Sequence, residues 1–323
     1  MAVPGNTFQR AGKVAVRESL HDTISNIAPT QTPFMSNIGS GTANQTHEEW
    51  LTDTLAAADA DNAVIDGDDA ANDALTDAVR LGNYTQLMDK VVGISTTTQA
   101  VKSAGNQTKM AYQMLKKSKE LKRDMEKRFC GNFAAVPLAD GTAGKSAGMV
   151  AFIRTNGSRG AGGAAATLSG TTAGYIDAAA TNGTLRTVDE DMLKDAVQDA
   201  WNQGGEPGFA LMSGTLKQKF STFAGIADIR KDAPGSKAAT IVGAADVYVS
   251  DFGNISFVPS RFTTGRDVSI IDPSLWEILY LQRFNTSELA KTGHADRKML
   301  AVQATLKCAN ELGNANIADV QAA

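Results

Sequence analysis

The chain has 323 residues, 42% of them hydrophobic and 20% charged, with a formal net charge of -4. That length fits one large or two medium domains with ample material for a core, and the negative balance speaks against tight nucleic-acid binding, which needs a basic surplus. The polar first ten residues are no secretory signal, and no apolar run approaches the roughly eighteen residues that span a bilayer.

Cys130 and Cys308 stand far apart in sequence and read as two isolated thiols of a cytosolic chain, with one long-range disulfide as the alternative. Residues 1–39 read as an arm. Pro4, Gly5, Gly12, Pro29, Pro33 and Gly39 punctuate it, and 16–27 is its helical stretch. Such a segment buries little of its own surface and needs something to lie on.

Residues 40–94 read as an extended two-stranded loop, with one strand out over 46–55 and one back over 78–94. The tip between them holds seven aspartates, Asp59, Asp61, Asp66, Asp68, Asp69, Asp73 and Asp77, and no basic residue. Across 48–80 there are ten acids and one base, Arg80. A two-stranded ribbon alone in water is marginal, and like charges repel. The ribbon is therefore expected to lie on a basic partner surface.

Such a surface follows at once. Met110, Met114, Leu121, Met125 and Phe129 recur at helical spacing, which predicts a helix over 104–133 of roughly seven turns, on the order of 35 Å. Asn106 or Thr108 is the expected cap and Gly131 the expected stop. Eight Lys/Arg, including Lys116, Lys119, Lys122, Arg123 and Lys127, stand against Glu120, Asp124 and Glu126. About ten residues join ribbon and helix, so the expected partner of the ribbon is the helix of a neighbouring copy.

Residues 138–185 are rich in Gly, Ala, Ser and Thr; 157–174 read as a flexible surface loop, with a short strand over 149–154. From 186 the character changes. Thr187 is the expected cap of a helix over 188–203, with Glu190 completing a capping box and Leu193, Val197, Ala200 and Trp201 as its apolar stripe. A strand at 209–213, a helix at 216–223 and strands at 245–250, 255–259 and 268–272 complete a compact α/β layer. Residues 280–323 read as a long strand ending in a polar tail.

Candidate chemistry is thin. Gly144-Lys145-Ser146 resembles the end of a phosphate loop, with Asp272 as its metal-holding partner. Ala139 stands where that loop needs glycine, and a β-leaning stretch follows where a helix must start. Gly160, Gly162 and Ala165 fit a dinucleotide fingerprint, but no helix follows. The tip aspartates lack the glycine and closing glutamate of a helix–loop–helix calcium site. His21, His47 and His294 are isolated. The sequence therefore points to no catalytic residue, cofactor or metal, and to no enzyme.

The order of segments carries more. HEEWLTDTL (47–55) leads through the acidic tip to RLGNYTQLMDKVVGIS (80–95), then the basic helix, then TVDEDMLKDAVQDAWNQGG (187–205). VYVSDFGNISFVPSRF (247–262), VSIIDPSLWEILYL (268–281) and LAKTGHADRKMLAVQATL (289–306) follow. This series resembles the major capsid proteins of tailed bacteriophages, of the Hong Kong 97-type fold class. The resemblance implies an α+β fold with an N-terminal arm (1–39) and an extended loop (40–94). It implies a peripheral domain (95–185) with spine helix 104–133 and the Gly-rich loop, an axial domain (186–279), and a peripheral return strand with a C-terminal tail (280–323).

The resemblance further implies self-assembly into hexamers and pentamers of an icosahedral shell around double-stranded DNA, bound without sequence specificity. A virion location, assembly in the bacterial host cytoplasm, a portal and a cement protein are expected, and no membrane. The chain begins almost at once with the arm, so a separate scaffolding protein is expected unless a precursor segment has been trimmed. Some such shells lock through a loop lysine. No lysine lies between Lys13 and Lys90, so the shell is expected to be held non-covalently. An encapsulin-like cage and a phosphate-loop nucleotide-binding protein are the alternatives.

Overall fold

A computed structural model of the chain describes residues 31–67, 69, 72–75, 77–101, 109–170, 174–223, 247–291 and 293–322. The arm before 31, its helical stretch at 16–27, His21, Asp68 and the expected caps Asn106 and Thr108 lie outside the described residues.

In chain order the first elements are α1 (Pro33–Asn37), β1 (Gly39–Thr42), β2 (His47–Thr52), β3 (Val79–Tyr84), β4 (Gln86–Ser95), α2 (Thr96–Ala100), α3 (Lys109–Phe129) and α4 (Met149–Phe152). Then come β5 (Gly157–Ser158), β6 (Thr167–Leu168), β7 (Ile176–Ala178), β8 (Arg186–Thr187), α5 (Glu190–Asn202), β9 (Phe209–Met212) and α6 (Gly214–Phe220). The last are β10 (Val247–Ser250), β11 (Gly253–Pro259), β12 (Val268–Ile271), β13 (Trp276–Leu289), β14 (Ala295–Cys308), β15 (Ala315–Ile317) and β16 (Val320–Gln321).

Two cores result. The first is built on a four-stranded sheet of order β1-β13-β14-β4. Its 14-residue strands β13 and β14 pair antiparallel from Trp276↔Cys308 to Leu289↔Arg297, with a register shift between Tyr280 and Asn285. Helix α3 packs on β4 and β14. It buries Leu121, Met125 and Phe129 in a cluster with Phe34, Trp276, Val302 and Leu306. This is the stripe that the 3.6-residue spacing predicts, with Met114 at its margin.

The second core sits under a six-stranded sheet of order β10-β11-β9-β12-β15-β5. Leu193, Val197 and Ala200 of α5 and Leu216 and Phe220 of α6 pack on Met212, Ile255, Phe257, Ile270 and Ile317 of that sheet. Strands β9 and β12 are buried at every position, as expected of central strands. The sheet draws β5 and β15 from outside 186–279, so this layer spans more of the sequence than the single run expected for it.

Several expectations are corrected. Residues Met149–Phe152 form a buried helical turn rather than a strand. The cap of α5 is Asp189, whose carboxylate accepts the Met192 amide at 2.9 Å; Glu190 instead receives the Tyr248 hydroxyl and pairs with Lys194. Trp201 is not on the buried stripe: it is 51% exposed and packs its ring on Phe252.

The expected polar tail is mostly core: Ala315, Ile317 and Val320 are fully buried, β15 lies inside the six-stranded sheet and β16 pairs β8. The glycine-rich stretch carries β5, β6 and β7, and some of its glycines, Gly160 and Gly183 among them, sit where no side chain fits. A Cβ on Gly160 would lie 2.1 Å from the Thr184 carbonyl oxygen, and one on Gly183 would lie 2.5 Å from that of Gly160. The two strips close over the buried Asp319, which adopts the left-handed conformation at φ 60°.

Candidate intersubunit surfaces

The extended loop divides into a fixed root and an exposed tip. At the root, β2 and β3 pair from His47↔Tyr84 to Thr52↔Val79. Trp50 is buried and packs on Phe152, with ring centroids 6.2 Å apart. The Thr52 hydroxyl donates to the Ala309 carbonyl at 2.9 Å, and the Gly82 amide to that of Gly174 at 3.0 Å. His47 stacks on Tyr84 with centroids 4.3 Å apart, edge-on to Tyr175, and its Nδ1 faces Glu49 at 3.2 Å. Burial holds the His47 imidazole below its usual pKa, against the pull of Glu49. Glu49 also pairs with Arg80 across the ribbon.

The returning limb does not project. β4 is a strand of the chain's own sheet, and Lys90 on it pairs with Asp124 of α3 at 2.6 Å. The expectation that the returning limb of the extended loop projects with the rest of it is therefore corrected. Hydrophobic alternation along β4 supplies the reason, since it buries Met88 and Val92 under α3. What projects is the stretch from 53 to 77, in which every described residue is exposed. Asp59, Asp61, Asp66 and Asp69 all lie there. So do Leu55, Val64, Ile65 and Leu75, which are 77% to 99% exposed. Counting charge alone missed these four, although the signal was present in the sequence.

The basic residues of α3 separate by role. Lys116, Lys119, Lys122 and Lys127 are exposed. Lys122 lies over the Phe284 ring and the half-buried Arg123 over the Phe262 ring, each at 5.9 Å, and Lys127 donates to the Phe262 carbonyl at 3.0 Å. Lys117 pairs with Glu120 at 2.6 Å. Arg128 faces inward, donating to the carbonyls of Ser146 at 2.6 Å and Ala134 at 2.7 Å, and burial lowers its pKa to about 10. Glu126, read from sequence as one of three acids on the polar side, is fully buried. Its carboxylate receives the amides of Phe34 and Met35 in α1, so it ties the arm to the helix. Among the described residues, no ion pair joins the tip aspartates to α3 within one chain.

The fragments of catalytic motifs serve the fold. Lys145 is bridged to Val136 through both backbone groups. Ser146 is fully buried, and its hydroxyl receives the Asn83 amide and donates to the Ala147 carbonyl. Asp272 caps the turn at Pro273–Leu275 by accepting the Ser274 amide at 2.9 Å. Among the described residues, no three His, Cys, Asp or Glu side chains gather to hold a metal ion.

Comparison with known proteins agrees with this architecture. A family model described as SU10 major capsid protein matches residues 3–321. The major capsid protein of Escherichia phage Phieco32 is 39% identical over 109 residues, an alignment spanning 34% of this chain and only 31% of that relative. The capsid of cyanophage A-1(L) superposes with a TM-score of 0.65 at 11% identity, over 94% of this chain and 97% of that one. The capsid of cyanophage P-SCSP1u gives 0.62 at 10% identity, over 99% and 97%. At such identities the structural likeness concerns the fold, which is the Hong Kong 97-type capsid fold.

Proposed function

The chain belongs to the SU10 major capsid protein family, and from that premise we propose that it is the major head protein of a tailed phage. Many copies close into an icosahedral shell of hexamers and pentamers around double-stranded DNA. The subunit is structural and catalyses nothing. The first core, with α3 and the long sheet, is the peripheral domain; the second, under the six-stranded sheet, is the axial domain. A portal, a scaffolding protein, a cement protein and the packaged DNA complete the set of partners, and assembly takes place in the host cytoplasm.

The observation that carries this reading is the split of the extended loop into a root held by its own body and a tip whose described residues are all exposed. A segment so acidic and so exposed is completed by another molecule, and the exposed lysines of α3 are the complementary surface. Each exposed pair is worth less than about 1 kcal/mol, but the contact repeats at every copy. The family model and the curated relative are both phage head proteins, which favours the shell over an encapsulin-like cage.

The test replaces Asp59, Asp61, Asp66 and Asp69 with lysine and follows particle yield by sedimentation at low and high salt. Assembly is expected to fail at low salt, where like charges now face one another. Normal yield and normal salt resistance would sink the proposed pairing of tip and helix.

A further inference from the structure

The extended loop leaves the body at one rung. His47 of β2 faces Tyr84 of β3 as the first pair of the ribbon, and just outside it the Thr85 amide donates to the Thr46 carbonyl at 2.8 Å. On one side of this rung the chain is held to the long sheet, where the Ala43 amide donates to the Tyr280 carbonyl at 3.0 Å. On the other side the Thr85 hydroxyl receives the Gln303 side-chain amide at 2.9 Å. A change in the angle between ribbon and sheet is absorbed at His47 and Tyr84.

Three rings close the rung. His47 lies within 10° of parallel to Tyr84, and Tyr175 meets both edge-on, its centroid 6.1 Å from His47 and 5.2 Å from Tyr84. Tyr175 follows Gly174, whose amide donates to the Arg80 carbonyl and whose carbonyl receives the Gly82 amide. The two nitrogens of the imidazole differ. Nδ1 faces Glu49 at 3.2 Å. Nε2 is buried without a hydrogen-bond partner against the backbone of Gly82, where a Cβ would lie 2.4 Å from it. The charged groups about the ring are Glu49 on its own strand and Arg80 on β3, which are paired with each other; Tyr84 and Tyr175 complete the titratable set.

A neutral ring suits this site and a charged one does not. With its proton on Nδ1, directed at Glu49, the ring leaves Nε2 bare. A second proton has to sit on Nε2, where no acceptor faces it. Glu49 favours the charged ring, but burial outweighs it and Arg80 adds to the cost.

We propose that the His47–Tyr84 rung is a proton-operated lock on the extended loop: the neutral ring holds the root against the body, and a second proton, taken from solvent at Nε2, releases it. A charged ring leaves the stack for water, and the bonds between β3 and Gly174 lose their cover. The lock's contribution is complete above the unfolded histidine value of about 6.5 and is lost as pH falls through the lower folded one. The device belongs to the single chain and does not depend on what the tip meets.

The test uses the full chain before assembly. Hydrogen exchange of peptides covering 79–85 is read against peptides covering 299–306 of β14, at about pH 7.5 and about pH 5.5, with pulse times scaled to the intrinsic rate. In the parent the ratio is expected to rise by about tenfold in acid. H47F keeps a flat ring that takes no proton, and its ratio is expected to change by less than about twofold. E49Q removes the carboxylate charge that favours the charged ring, so the rise moves to lower pH. A parent ratio that stays within about twofold overturns the proposal, and so does an equal rise in H47F.

A second measurement needs no variant at position 47. The carbon-bound imidazole protons of the parent are followed by NMR across the same range, with those of His21 and His294 identified through H21Q and H294Q. The remaining histidine, His47, is expected to titrate below about 6.5. Titration at or above that value overturns the proposal. Neither measurement bears on the pairing of tip and helix, which particle yield tests separately.

Discussion

The carboxylate of Glu126 accepts the Phe34 amide at 2.8 Å, across 92 residues of sequence. Its other oxygen accepts the Met35 amide at 3.0 Å. A side chain of the spine helix thus satisfies two amides in the first turn of α1, a task that usually falls to a residue next in sequence. Phe34, held in this way, is fully buried and meets Trp276 edge-on at 5.9 Å.

Replacing Glu126 with alanine leaves the buried Phe34 amide and the half-buried Met35 amide without their acceptor, and the expected cost is about 2–3 kcal/mol, read from the urea midpoint of the isolated subunit. The pH dependence has a definite sign. Burial is the largest influence and raises the carboxyl above its usual range, although the Met35 and Phe34 amides pull it down. A raised value means that this group's favourable contribution is complete below its unfolded value and is lost as pH rises through the folded one. The stability of the parent relative to E126Q is therefore expected to be greater at acid pH than at neutral pH. An unchanged difference would disprove the assignment.

Asp319 behaves in the opposite way. Burial acts to raise its carboxyl, but the Gly183 amide, the Arg266 guanidinium at 2.6 Å and the Gly160 amide together hold it below the usual range. Its contribution is present above the unfolded value and is lost as pH falls through the folded one. D319A leaves Arg266 without its buried partner and is expected to cost about 3 kcal/mol at neutral pH. G160A, which forces a methyl against the Thr184 carbonyl, is expected to destabilise more than G162A, where the open space leaves only the strain of φ +80°. Thermal melts of the three variants check the order.

With no lysine between residues 14 and 89, the projecting tip has no amine to cross-link. Purified particles boiled in detergent are expected to run as a single monomer band. A ladder of covalent oligomers would contradict this.

Local patterns revealed those elements whose physics is local. The 3.6-residue spacing of Leu121, Met125 and Phe129 located α3, and alternation from Met299 to Lys307 located much of β14. Features set by distant partners stayed hidden. Glu126 reads as a surface charge until Phe34 is placed beside it, and Trp201 fits the apolar stripe of α5 until Phe252 takes its ring. Gly160 looked like part of a loose loop because its tight neighbours, Thr184 and Asp319, come from later in the chain. The aspartates of the tip were plain in the sequence. The four apolar residues among them were equally visible, but a count of charge passes over them.

The place of β15, between β12 and β5, bears on the order of events during synthesis. Until residues 315–317 have left the ribosome, the six-stranded layer is two unjoined pieces with raw edges facing each other. A nascent subunit cannot seal that layer before residues 315–317 are available to join its two pieces.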